Sequence, residues 1–164
     1  VVDFIATDHA PHTLEEKAQG FPKPLELSGE PSPANTVFLE PANIPSGMPG
    51  VETSLPLMLT QAMQGRCTVA QVAHWMSTAV AKAYRIPNKG AIAPGYDADL
   101  VLVDLTTYRS VRREDLATKC GWSPFEGWEL TGYPVVTIVG GQVVYERGKL
   151  YTEVRGKALQ FDAR

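Results

Sequence analysis

Residues 1–13 read VVDFIATDHAPHT. The apolar, β-branched run Val1–Thr7 lacks the alternation of a half-solvated strand, which predicts a strand buried on both faces, as in a parallel sheet. Polarity begins abruptly at Asp8. Residues 14–50 then carry seven prolines (Pro22, Pro24, Pro31, Pro33, Pro41, Pro45 and Pro49) and no sustained period, and predict a long loop. Loops of that length inside compact domains are usually either functional or disordered.

Periodicity returns at Leu55, Met58, Leu59, Ala62 and Met63, the i, i+3, i+4, i+7, i+8 spacing of one apolar helix face, with Gly65 placed to end the helix. Thr68-Val69-Ala70-Gln71 is a capping-box pattern that opens a second helix with Val69, Val72, Ala73 and Met76 inward. Thr78 is expected to cap a third, short helix over Ala79–Tyr84, ended by Pro87. Strand, long loop, then helices is the order of a βα unit. After Pro87, Leu100–Val103 reads as a strand, and Val135–Val139 and Val143–Tyr145 flank Gly140-Gly141 as a hairpin. The expected division is therefore near residue 86, with a β-rich C-terminal half.

The charge is −3, with 15 basic and 18 acidic side chains well mixed. No basic stripe is present to neutralise a nucleic-acid backbone, so that partner class is disfavoured. No apolar run approaches the roughly 20 residues of a membrane span, and the first residues lack the basic region, hydrophobic segment and small-residue cleavage site of a signal peptide, so a soluble, cytoplasmic protein is expected. Cys67 and Cys120 stand far apart, outside any CxxC pattern, and read as reduced thiols. The sequence opens on Val1-Val2-Asp3 without methionine and is expected to be a piece of a longer protein.

A carboxylate at the C-terminal end of a buried parallel strand stands where β/α barrels place catalytic groups, and Asp8 in that position can bind a metal or shuttle a proton. The competing reading has Asp8 capping the turn that follows it. His9 and His12, three residues apart around Ala10-Pro11, can face one pocket, but their spacing is that of neither a strand HxH nor a helical i, i+4 metal pair. His12 donating to an anionic substrate is the more economical use; His9 is left between support and spectator. His74 lies off its apolar stripe and receives no role. In PSGMPGVET (45–53), Gly47 and Gly50 permit close backbone approach to a ligand, and free N–H groups at a helix start favour carboxylates; a rigid turn into the helix is the alternative. Asp97 and Asp99 are explained by turn chemistry. GWSPFEGWE (121–129) reads as a packed loop anchoring the C-terminal sheet to the first part.

Together, ATDHAPHTLEEK, SGMPGVETSLPLML, KGAIAPGYDADLVLVD and WSPFEG resemble the C-terminal portion of dihydroorotases in the amidohydrolase superfamily, over nearly the whole chain and in the same order. The resemblance implies an α/β fold: the last βα unit of a TIM-like (β/α)8 barrel over residues 1–85, then a small β-sandwich-type domain over 86–164. It implies a metal-dependent, reversible cyclisation of N-carbamoyl-L-aspartate to L-dihydroorotate in pyrimidine biosynthesis. By the same resemblance, Asp8 touches a centre of one or two Zn2+ ions and works as general base and then acid, and His12 contacts the substrate carboxylate. Ser46 and Gly47 fall on the loop whose backbone holds substrate, although the family often has an aromatic residue where Ser46 stands. The family's HxH pair, bridging lysine and two further histidines lie on earlier strands, before residue 1, so this piece alone is expected to be inactive. A homodimer or an aspartate transcarbamoylase are the partners implied. The alternatives are a non-catalytic dihydroorotase-like scaffold for a transcarbamoylase and another cyclic amidase such as a hydantoinase.

Overall fold

The computed structural model describes residues 2–19 and 45–162. Most of the proline-rich stretch, and with it most of the expected long loop, lies outside the described residues.

Residues 2–8 form no strand, contrary to the expectation for Val1–Thr7. A strand exists only where a neighbour completes its ladder. Among the described residues this segment finds one isolated parallel bridge, between His9 and Met48. Val2 and Phe4 are accordingly exposed rather than buried on two faces. The segment is tied down at its middle, where the Ile5 N–H donates to the Trp75 carbonyl at 3.1 Å, and the Phe4 ring meets Tyr84 edge-on at 6.0 Å.

Helix α1 spans Leu14–Gln19, inside the stretch expected to be loop. Its start is a capping box that the sequence carries openly: the Thr13 hydroxyl accepts the Glu16 N–H at 3.1 Å, and the Glu16 carboxylate accepts the Thr13 N–H at 2.9 Å. Helix α2 spans Val51–Met63, as its periodicity predicts, and Gly65 follows its end. The buried face, however, is Thr53, Pro56, Leu59 and Thr60. Of the five residues expected inward only Leu59 is buried, and Met63 is exposed. The face is turned because α2 packs on residues 130–132, where polar hydrogen bonding competes with apolar burial: the Thr60 hydroxyl accepts the Thr131 N–H at 3.0 Å and donates to the Pro56 carbonyl at 2.7 Å.

The capping box at Thr68 is formed in both directions and opens α3, Val69–Ala73. A π-helical turn, His74–Thr78, continues it into α4, Ala79–Ala83. Thr78 does not cap a separate helix. Its backbone is helical, and its hydroxyl donates to the Gly90 carbonyl at 2.6 Å, pinning the run to the chain beyond Pro87.

The C-terminal half is β-rich, as expected: β1 Leu100–Asp104, β2 Arg109–Ser110, β3 Glu129–Leu130, β4 Tyr133–Val139, β5 Gln142–Glu146 and β6 Lys149–Leu150. All pairings are antiparallel, in one sheet of order β1-β4-β5-β6 and a two-stranded β2-β3 ribbon. Gly140-Gly141 joins β4 to β5 as a two-residue hairpin, with Val139 paired to Gln142. A sandwich is not what the described residues build. Facing sheets would bury alternate side chains, whereas every residue of β4 is half-buried and Val101 and Leu102 of β1 are exposed.

Asp97 and Asp99 are structural, as read. Lys89 bridges both carboxylates, and the second Asp99 oxygen accepts the Gly140 N–H at 2.7 Å, tying the hairpin turn to the start of β1. The Lys89 ammonium, then the Gly140 N–H, hold the Asp99 carboxyl below the usual carboxylate range. A depressed folded-state pKa contributes stability that is present above the ordinary carboxylate pKa and lost as pH falls through the lowered value. Asp99→Asn is therefore expected to lower the stability at neutral pH by under about 1 kcal/mol, because the group is partly exposed, and with it the thermal midpoint. The gap from the parent should narrow as the pH falls below the ordinary carboxylate range; a gap independent of pH would exclude an electrostatic origin.

Candidate active site

The segments 7–10 and 47–50 run side by side, and the closeness depends on glycine. A Cβ on Gly47, whose φ is +100°, would lie 2.5 Å from the Ala10 carbonyl oxygen, and one on Gly50 would lie 3.2 Å from that of Thr7. The close approach these glycines permit is thus between two stretches of the chain itself. The Ala10 N–H donates to the Met48 carbonyl at 3.3 Å. His9 closes the contact: its Nδ1 accepts the N–H groups of Gly50 at 3.1 Å and Val51 at 3.3 Å. Those donors, expected to be free for a carboxylate, are occupied. His9 is support, and its ring proton stands on Nε2, because Nδ1 is the acceptor.

Asp8 sits on this pinned turn in the left-handed conformation, φ 45°. Aspartate is among the few non-glycine residues that tolerate that region, at a cost of about 1–2 kcal/mol. Its side chain is exposed, and among the described residues no hydrogen bond reaches its carboxylate. The turn is held from behind and its acid is left open.

His12 follows on the same turn. Its Nδ1 lies 3.2 Å from a Glu16 carboxylate oxygen, and its carbonyl accepts the Trp122 indole N–H at 2.7 Å. The Lys17 ammonium donates to the Pro45 carbonyl at 2.9 Å and stands 5.7 Å from the Trp122 ring centroid. The 121–129 loop thereby anchors to the first part of the chain, as read, and Trp122 is the residue that does it. Glu52, at the start of α2, reaches across as well, accepting the Ala117 N–H at 3.0 and 3.1 Å. Ser46 is exposed beside Gly47.

The geometry thus joins Asp8, His9 and the 47–50 turn, and ties His12 to Glu16 and Trp122. A cavity of about 660 Å3 between α2 and β4, lined by Thr53, Pro56, Arg109, Arg112 and Tyr133, includes neither Asp8 nor His12. Among the described residues no three His, Cys, Asp or Glu side chains converge as metal ligands. His9 has its Nδ1 on backbone and His12 its Nδ1 beside Glu16. Of Asp8, His9 and His12, Asp8 offers an open carboxylate, which fits one ligand position but not a metal centre. Of the residues sequence reasoning missed, Glu16 had a local signal, the TxxE spacing after Pro11-His12. Lys17 had none, since its partners lie far along the chain; Trp122 lies in the loop read as an anchor, without its partner His12 being foreseen.

A profile of the amidohydrolase family matches residues 1–144. The chain belongs to the amidohydrolase family. It is 34% identical over 158 residues to the dihydroorotase of Pyrococcus furiosus, covering 96% of this chain and 32% of that protein. It is 36% identical over 149 residues to the dihydroorotase of Anoxybacillus flavithermus, covering 90% of this chain and 30% of that one. Among solved structures it resembles a D-hydantoinase (dihydropyrimidinase) from Thermus sp., with a TM-score of 0.75 and 29% identity over 92% of this chain and 30% of that chain. This amidohydrolase chain therefore spans about a third of the length of the relatives it matches. No helix among its described residues is long and apolar enough to cross a membrane.

Proposed function

We propose that this chain supplies one wall of the active site of a dihydroorotase, the C-terminal part of a protein that interconverts N-carbamoyl-L-aspartate and L-dihydroorotate. The observation that carries the reading is the 8–12 turn: an open carboxylate on a pinned backbone, four residues before an imidazole set against a carboxylate. In the hydrolytic direction Asp8 takes a proton from the water that attacks the ring amide carbonyl. As the C–N bond breaks, Asp8 returns that proton to the departing nitrogen. His12, whose Nδ1 lies beside Glu16, has Nε2 left for the substrate carboxylate, a contact that requires both ring nitrogens to carry protons, and Ser46 and Gly47 lie on the adjoining loop for further backbone contact. Zinc chemistry, the activation of water, would need ligands from outside this chain, with Asp8 as one donor; the described residues do not make that centre by themselves.

The structural likeness to a hydantoinase favours one second reading, another cyclic amidase. The two differ in what His12 has to bind, because hydantoin carries no carboxylate. In the intact protein His12→Ala is expected to raise KM for dihydroorotate by roughly ten- to a hundredfold, the worth of a charge-assisted hydrogen bond of about 1.5–3 kcal/mol, with a smaller change in kcat. Steady-state assays with both substrates decide it. Turnover of hydantoin without turnover of dihydroorotate overturns the dihydroorotase reading.

A further inference from the structure

We infer that His9 is the positioning residue for Asp8: as the Nε2–H tautomer it caps α2 through Nδ1, and by doing so it sets the backbone from which the Asp8 carboxylate reaches the reaction. This rests on the role of Asp8 proposed above.

Helix α2 begins without a cap of its own. Its N-cap residue is Gly50, which has no side chain to accept the first N–H groups. The acceptor arrives instead from His9, 41 residues earlier, whose Nδ1 takes both the Gly50 and the Val51 N–H. This interaction crosses the gap between the two segments where Asp8 is anchored. On one side of Asp8, Thr7 lies against Gly50; on the other, Ala10 lies against Gly47 and hydrogen-bonds to Met48. Only Asp8 itself is in the left-handed region within this turn. Removing the His9 acceptor releases the tie next to the one backbone conformation that requires holding, and leaves two N–H groups to find water.

The cap also specifies which atom matters. Nδ1 is the ring nitrogen nearer the backbone, and an asparagine side-chain oxygen lies at a comparable reach. A glutamine oxygen lies where Nε2 is, too far out to meet the same two donors.

The test uses the intact protein with His9→Ala, His9→Asn and His9→Gln, each made also in an Asp8→Asn background. His9→Ala and His9→Gln are expected to lower kcat on the order of a hundredfold, the effect of misplacing a reacting group by about an ångström, with KM little changed. His9→Asn should restore most of the rate. In the Asp8→Asn background the His9 substitutions should cause no further loss in kcat, since two residues acting through one group are not additive. Nitrogen-15 spectra of the His9 ring should show a pyridine-like Nδ1 and a pyrrole-like Nε2. Rescue by glutamine as good as that by asparagine, a pyrrole-like Nδ1, or an equal loss in both backgrounds overturns the inference. If Asp8→Asn alone keeps the parental rate, the Asp8 reading falls and the positioning role with it, while the ring spectra still judge the cap separately.

Discussion

Asp8→Asn in the intact protein is expected to lower kcat for dihydroorotate hydrolysis by about 100- to 10,000-fold, the range for loss of a positioned general base, with KM close to that of the parent. The substitution is chosen for what it leaves alone. Asparagine has the shape of aspartate and, like it, tolerates the left-handed backbone that Asp8 adopts at φ 45°. Asp8→Ala would confuse chemistry with strain, because alanine pays for that conformation without any compensating polar contact. The carboxylate is exposed, so its replacement leaves no buried partner unsatisfied. The thermal midpoint should therefore hardly move while the rate collapses. Steady-state kinetics beside a melting curve check both halves. A rate near that of the parent would remove Asp8 from proton transfer.

Gly132→Ala is the substitution with the largest expected effect on stability. Gly132 has φ +81°, and an added Cβ would lie 2.4 Å from the Leu59 Cβ and 2.6 Å from its Cδ1. Leu59 has nowhere to go. It is buried, and its neighbour Thr60 is fixed by hydrogen bonds to Thr131 and Pro56. Overpacking of this kind costs about 1–3 kcal/mol, and the left-handed conformation adds about 1–2 kcal/mol. A total of roughly 3 kcal/mol is a large share of the usual stability of a domain. Gly65→Ala is the control, because Gly65 has φ +75° and open space around the added atom. Urea titrations of the two variants separate packing from backbone strain. Equal losses would show that the contact with Leu59 carries nothing.

The features legible in the sequence are those whose partners stand within a few residues. The capping box of Thr68 and Gln71, the glycine after α2 and the Gly140-Gly141 hairpin are each set by local spacing, and each appears where expected. The family is legible for a related reason, since DHAPHT and GVETSLPLML are short contiguous motifs. The stretch Val1–Thr7 misleads because its composition is that of a strand, while a strand also needs neighbours that composition does not report. The rotated face of α2 follows from Thr60 preferring Thr131, 71 residues away, over apolar company. The role of His9 depends on a partner 41 residues on, and the anchoring of His12 on one 110 residues on. Periodicity carries no information at those separations.

The hydrogen bond from the Thr131 N–H to the Thr60 hydroxyl fixes more than the seam it occupies. Sliding α2 by one turn against the β3 end would strand the Thr131 N–H in a place without water, so the helix has one permitted register. From Thr60 back to Gly50 the helix is a rigid rod of roughly 15 Å at about 1.5 Å per residue, and its far end is gripped by His9. Residue 131 therefore serves as the datum from which the height of the Asp8 turn is measured, and the β-rich half acts as its gauge block.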